Sequence, residues 1–250
     1  MKHLGAECRG LSRTLAIVAS ALMTVVACKT TTGPSNTAPT YTVYAASDTV
    51  LGKTYSQWAD AWQTWFFSLP TNATPVNDNA PPETGQSGKV FFLCGHGGQL
   101  DSNGRIPSDA HVFSRAVSVP AGTLFFFPIL NAEMDTMSMP TEGGTEQMLR
   151  DSARVYLEKS EDISADVDGH TVPNVNLYRC QTSLLTLTLP DSNVFQPVYG
   201  AGTYRNCCVS DGYWLMVGGM GVGEHTIHFK ATVKPAGVYF EVLYKITVTP

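Results

Sequence analysis

The sequence predicts a mainly β protein: an antiparallel β-sandwich, of jelly-roll or immunoglobulin-like type, carrying two added helices. Three observations lead there. Apolar or alternating segments of strand length recur through the chain, most densely in its second half, with turn signals between them. Only two stretches, around residues 54–69 and 145–159, repeat their apolar residues at helical spacing. A composition of 22 Gly, 15 Pro, 10% aromatic and 15% charged residues suits a turn-rich β protein better than a helical bundle. Strand and helix do not alternate regularly, which argues against a parallel α/β sheet.

Taken in order, the chain begins with Lys2, Arg9 and Arg13 ahead of an uncharged run over residues 15–27, the layout of an export signal. That run falls short of the roughly 20 apolar residues needed to span a bilayer, so a retained membrane helix is the weaker reading. Val25-Val26-Ala27-Cys28 resembles the lipobox of bacterial lipoproteins, although Val25 stands where leucine is commoner. The resemblance implies that residues 1–27 are a signal peptide and that Cys28 is acylated. The alternative is an ordinary cleavage after Ala27, leaving a soluble protein with a free thiol. Each buried methylene adds about 0.8 kcal/mol, so two or more chains hold where one does not. Lys29 rather than Asp after the cysteine, by likeness to sorted lipoproteins, gives the expected address as the outer membrane of the cell envelope. Residues 28–40, rich in Thr, Ser, Pro, Gly and Asn, read as a flexible tether reaching about 40 Å from the lipid surface. Residues 41–250 then form a single β-rich domain.

Within that domain, Thr54-Tyr55-Ser56-Gln57 reads as a capping box. It opens a helix whose Tyr55, Trp58, Trp62, Trp65 or Phe66, and Leu69 recur at steps of three and four until Pro70. A stripe of this kind is a core face before it is a binding platform. Residues 71–89 are a polar loop leading to the strand candidate 90–93. A second apolar strand, 123–130, follows the turn Pro120-Ala121-Gly122. Helix 145–159 presents Leu149, Ala153, Tyr156 and Leu157 on one face. Segments 163–167 and 170–172 flank Asp168-Gly169, a two-residue hairpin signal. Strands 184–189, 212–217, 225–233 and 238–248 follow, the last with Phe240, Val242, Tyr244, Ile246 and Val248 on one face.

The charge balance excludes one class of partner. Of 16 basic and 21 acidic side chains, the signal takes Lys2, Arg9, Arg13 and Glu7, which leaves a formal charge of −7. With no basic run, a nucleic-acid partner is not expected, and nothing supplements a lipid anchor electrostatically. Cys94, Cys180, Cys207 and Cys208 remain after export and are disulfide candidates. Adjacent Cys207 and Cys208 do not suit one another, so Cys94 and Cys180 are each expected to pair with one of them. A zinc site lacks the usual ligand spacing.

The domain also resembles a family of uncharacterised, exported bacterial proteins. The likeness lies in Gly52 with Tyr55-Ser56-Gln57-Trp58 through Trp62, Trp65 and Pro70; in Val90-Phe91-Phe92-Leu93; in Val119-Pro120-Ala121-Gly122 through Phe127-Pro128-Ile129-Leu130-Asn131 and Glu133; and in Asp211-Gly212-Tyr213-Trp214-Leu215 with Gly223-Glu224-His225-Thr226-Ile227-His228-Phe229. It spans most of the domain, and it implies no activity and no disulfide positions.

No motif for nucleophilic hydrolysis, zinc proteolysis or phosphate binding is complete. Gly85-Gln86-Ser87-Gly88 is followed by Lys89 and misses G-x-S-x-G, and His96-Gly97-Gly98 is simplest as a glycine-rich turn. Asn131, Glu133 and Asp135 alternate in an extended segment and would present three oxygen-bearing side chains on one side, a donor set suited to calcium; the plainer reading is a solvated strand exit. His225 and His228, three apart in a strand, face opposite sides and cannot share one ion. Asp101-Ser102-Asn103-Gly104 begins like a calcium loop, yet Ile106 and Val112 occupy the places of its glycine and glutamate. The expectation is therefore a non-catalytic sandwich, without a cofactor, binding a carbohydrate or an envelope protein or peptide. Its alternatives are a hydrolase of envelope or extracellular polymers using Glu133 and Asp135, and a structural surface protein.

Overall fold

The computed structural model describes residues 41–75, 80–108, 110–137 and 144–250. The expected signal peptide, Cys28 and the tether to residue 40 lie outside the described residues. The rest is mainly β: two sheets packed face to face, with two α-helices added, as the sequence predicts. One sheet contains β1 (Thr42–Val43), β2 (Val90–Phe92), β5 (Leu124–Asp135), β8 (Arg179–Gln181), β9 (Leu185–Leu189) and the long β10 (Gly202–Gly218). The other contains β3 (Gly97–Gln99), β4 (Phe113–Pro120), β6 (Ser160–Val167), β7 (His170–Thr171), β11 (Gly223–Val233) and β12 (Val238–Thr249). Helix α1 is Tyr55–Ser68 and α2 is Glu146–Leu157. Most pairings are antiparallel, but β2 runs parallel to β5 and β4 parallel to β12.

Alternation builds the core between the sheets. Phe125, Phe127 and Ile129 of β5 meet Ile227, Phe229 and Ala231 of β11 and Val242, Tyr244, Ile246 and Val248 of β12. The ring centroids of Phe127 and Phe229 are 4.7 Å apart. Strand β4, which the sequence reading passes over, alternates as strictly: Arg115, Val117 and Val119 point inward between exposed neighbours. Helix α2 contributes Ala153 and Leu157 to the same core. Asp168 and Gly169 both take positive φ, 50° and 75°, which is the two-residue turn expected between β6 and β7.

Helix α1 covers the outer face of the first sheet. Its capping box forms as predicted, with Thr54 and Gln57 exchanging side-chain and backbone hydrogen bonds. Tyr55, Trp58, Trp62 and Trp65 are buried against Leu124, Phe126, Trp214 and Met216, so the aromatic stripe is core. The segment around β8 ties both helices to the sheet. Ser56 Oγ donates to Gln181 O at 2.7 Å, Arg150 donates to Gln181 Oε1 and Thr182 O, and the Arg179 guanidinium grips the buried Asp211 carboxylate at 3.0 and 2.7 Å.

Two expectations need correction. His96-Gly97-Gly98 is not a turn: Gly97–Gln99 pairs with β12 as β3. The expected cross-links are also not formed, because Cys180, Cys207 and Cys208 carry free thiols. Cys180 lies opposite Gly212 on β10, four residues from Cys208 and thus roughly 13 Å along the strand, which is beyond disulfide reach. Cys94 is buried and held at its backbone, where its N–H donates to Tyr244 Oη at 3.0 Å and its carbonyl accepts from Arg115 at 2.6 Å.

Candidate functional site

The site begins with a register shift. Between β10 and β5 the partners run from Tyr213 with Leu130 to Trp214 with Pro128, leaving Ile129 unmatched. This is a β-bulge next to a proline that offers the ladder no N–H. The extra residue reverses the alternation of β5. Before it, Phe125, Phe127 and Ile129 face the inner core; after it, Leu130 and Ala132 do. Asn131, Glu133 and Asp135 are consequently carried onto the outer face, the side covered by α1.

There they do not form a solvated exit. Strand β5 runs on to Asp135, which is buried, and Asn131 and Glu133 are partly buried. Between this part of β5 and α1 lies a cavity of about 310 Å³. Helix α1 supplies Trp62, Gln63, Phe66 and Phe67 to its wall, the segment after β2 supplies Cys94 and Gly95, and the bulge supplies residues 128–131 with Glu133. Val194 and Phe195, from the loop after β9, and Phe240 of β12 complete a wall that stays partly open to solvent. Phe195 stacks on Phe67 with centroids 5.3 Å apart, and Asn193 pins that loop by bonding Pro190 O, Tyr199 O and the Phe195 N–H.

The polar groups around this aromatic space are of two kinds. Glu133 is partnered: the Cys208 thiol donates to its Oε1 at 2.9 Å. Burial pushes its carboxyl up to about 7, with a partial pull downward from the Cys208 hydrogen bond and a further push from the charge on Asp135. Cys208, itself desolvated and beside that carboxyl, is pushed far above the ordinary thiol range, so it acts as a donor and not as a nucleophile. Asn131 Nδ2 donates to Ser210 Oγ at 3.1 Å.

Two donors nearby have no partner among the described residues: Gln63 Nε2 and Trp214 Nε1. Gln63 is 1% exposed and Trp214 fully buried. The contrast with the helix tryptophans is direct. Trp58, Trp62 and Trp65 donate to Val50 O, Leu93 O and Thr84 O at 2.9, 2.9 and 3.3 Å. The Trp214 indole lies over Gly212, where a Cβ would come within 2.7 Å of Nε1 and 2.8 Å of Asn131 Cβ; glycine at 212 therefore sets the indole N–H beside Asn131. A buried donor without a partner costs about 1–3 kcal/mol; the Trp214 indole is enclosed in the core, off the cavity wall, whereas Gln63 lies on that wall and marks it as a place for an incoming acceptor.

Of the predicted triad, then, the structure brings Asn131 and Glu133 to the cavity and leaves Asp135 off its wall. Among the described residues, no three His, Cys, Asp or Glu side chains are grouped to hold a metal ion. His225 and His228 take opposite faces as expected. His225 Nδ1 meets Asp168 at 2.8 Å with Nε2 against Gly221 O, while His228 lies between Asp166 and Glu241; neither lines the cavity. Asp101 Oδ1 accepts from the N–H groups of Asn103 and Arg105, a local turn.

The sequence offered Cys208 as a disulfide partner and not as a donor to Glu133, and it did not single out Gln63 or Phe195. Gln63 did leave a signal, being a polar side chain at i+4 from Ala59 and i−4 from Phe67 on the apolar face. Neither a family model, nor a curated protein, nor a solved structure matches this chain. Its site is accordingly read from its own chemistry.

On the other flank of α1 an open groove of about 770 Å³ runs past Gln57, Asp60, Thr64 and Lys89, with the edges of Trp58 and Trp65 on its wall. Lys53 Nζ sits 4.6 Å over the Trp58 ring.

Proposed function

We propose that this protein is a lipid-anchored component of the cell envelope whose sandwich domain binds a small molecule in the cavity beneath α1 without transforming it. The observation that carries the reading is the partnerless Gln63 amide, almost fully buried, in the wall of an aromatic cavity that also contains Glu133. Pockets of this design, mostly apolar with a few placed polar groups, are the usual form of small-molecule sites. The anchor rests on the lipobox resemblance at residues 25–28. Among the described residues no helix is long and apolar enough to cross a membrane. The hydrolase alternative needs Glu133 and Asp135 to act on one substrate, yet Asp135 is not on the cavity wall and no histidine is. Carbohydrate binding is a second reading, favoured by the open groove with its tryptophan edges and mixed polar wall.

Mass spectrometry of the protein released from its own membranes tests both parts. The expected chain begins at an acylated Cys28 and retains one small molecule that Gln63→Leu loses. An unmodified Cys28 overturns the anchor; a molecule held equally by Gln63→Leu, or none held at all, overturns the cavity.

A further inference from the structure

We infer, on the reading that the cavity beneath α1 is a ligand seat, that its ligand is uncharged: a small apolar body ending in a carbonyl oxygen, as in a ketone, ester or amide. Among the described residues, the buried polar atom without a partner on the cavity wall is a donor, Gln63 Nε2. Trp214 Nε1 also lacks an acceptor, but its indole lies off that wall. Asn131 has already spent an N–H on Ser210. An incoming acceptor removes the cost of the partnerless Gln63 N–H, and a carbonyl oxygen has a second lone pair for the remaining N–H of Asn131, which also lines the cavity.

Charge decides the rest. No Lys or Arg lines the cavity, and the nearby Arg115 guanidinium is taken up by the Cys94 and Gly95 carbonyls and Tyr244 Oη behind the wall, so a carboxylate entering it would leave water for a wall without a cation and with Glu133 and the buried Asp135 as neighbours. An ammonium would find Glu133 and the aromatic rings, which favour it. It would also face the positive end of the Gln63 N–H dipole, which would remain without an acceptor. A neutral carbonyl meets every group without leaving one of them worse off. Protonated Glu133 then adds an O–H donor, the arrangement in which burial already holds it up to about pH 7. The titratable groups facing that carboxyl are Asp135 from its own strand and Cys207 and Cys208 from β10, and burial raises both thiols; Cys94 stands on the cavity wall, and α1 and the loop after β9 present no titratable side chain to it. The walls set the body of the ligand. Trp62, Phe66, Phe67 and Phe195 line a partly open volume of about 310 Å³, room for roughly ten water-sized groups.

Three probes of matched size separate the classes: 3-phenylpropanamide, 3-phenylpropylamine and 3-phenylpropanoate. Each is titrated into the full lipidated protein in detergent, with binding followed on the four indole N–H signals by NMR at pH 6 and pH 8. The amide is expected to bind at least tenfold more tightly than either charged probe, to shift the indole signal of Trp62, whose ring lines the cavity, and to bind about tenfold more weakly at pH 8 than at pH 6. Gln63→Leu is expected to remove most of the amide's advantage. If the amine or the propanoate binds best, the uncharged class is wrong while the seat stands. If none of the three binds, the donors are served by buried water and the seat reading itself fails.

Discussion

On its inner face β5 sets Phe125, Phe127 and Ile129 against an opposing sheet that is apolar wherever it meets them. On its outer face, past the bulge, it sets Asn131 and Glu133 beneath a helix that offers them a glutamine amide and a cavity. The inner face follows the ordinary rule for cores, in which close packing pairs the few polar groups it buries, as the Arg115 guanidinium and Tyr244 Oη are paired with Cys94 O. The outer face breaks it within two residues, burying a carboxyl, a thiol and two partnerless N–H groups in the same region. Stability and function are therefore divided across a single strand. The device that divides them is one unmatched residue, Ile129, which carries the polar triplet onto the outer face and sets two of its members, Asn131 and Glu133, in the wall of a pocket.

The largest effect that sharpens this contrast is expected on the inner side. Phe127 is fully buried and stacked on Phe229, and Phe127→Ala should cost about 3–5 kcal/mol, read from denaturant unfolding. A loss below about 1 kcal/mol would show that the inter-sheet space is not the close-packed core described.

The outer side should respond to pH. The folded chain holds the Glu133 proton up to about 7, whereas an ordinary glutamate, at 4.5, releases it earlier. The native state thus binds more protons than the unfolded state between those values, and stability falls as pH rises through that window, by up to about 3 kcal/mol for this group. Glu133→Gln should flatten that part of the profile and be the more stable protein at pH 8. Equal slopes in the two proteins would mean that water or another partner already satisfies the carboxylate.

Much of the architecture was legible because it follows periodicity. The capping box at Thr54, the tryptophan stripe of α1, the Asp168-Gly169 turn and the inward face of β12 each follow from a local spacing. What escaped was decided by tertiary partners. Strand β3 is a strand only because Gly97 and Gly98 lie against Tyr239 and Phe240 of β12. Cys207 and Cys208 suggested cross-links to Cys94 and Cys180, but the register of β10 hands the Cys208 thiol to Glu133. The triplet at 131–135 showed its shared face in the sequence. Which face that is depends on a bulge that only the pairing with β10 creates. Gln63 alone among the missed residues announced itself, as the one amide among the aromatic residues of an apolar helix face.

The most direct test of the cavity is the titration of Glu133 itself. With the side-chain carboxyl labelled with carbon-13, its NMR midpoint is predicted near 7 in the unliganded protein and higher once 3-phenylpropanamide is bound, because a neutral acceptor favours the protonated acid. A midpoint at the ordinary 4.5, unmoved by the probe, would contradict the account: Glu133 would then be a solvated surface carboxylate, and the space beneath α1 would have no part in binding.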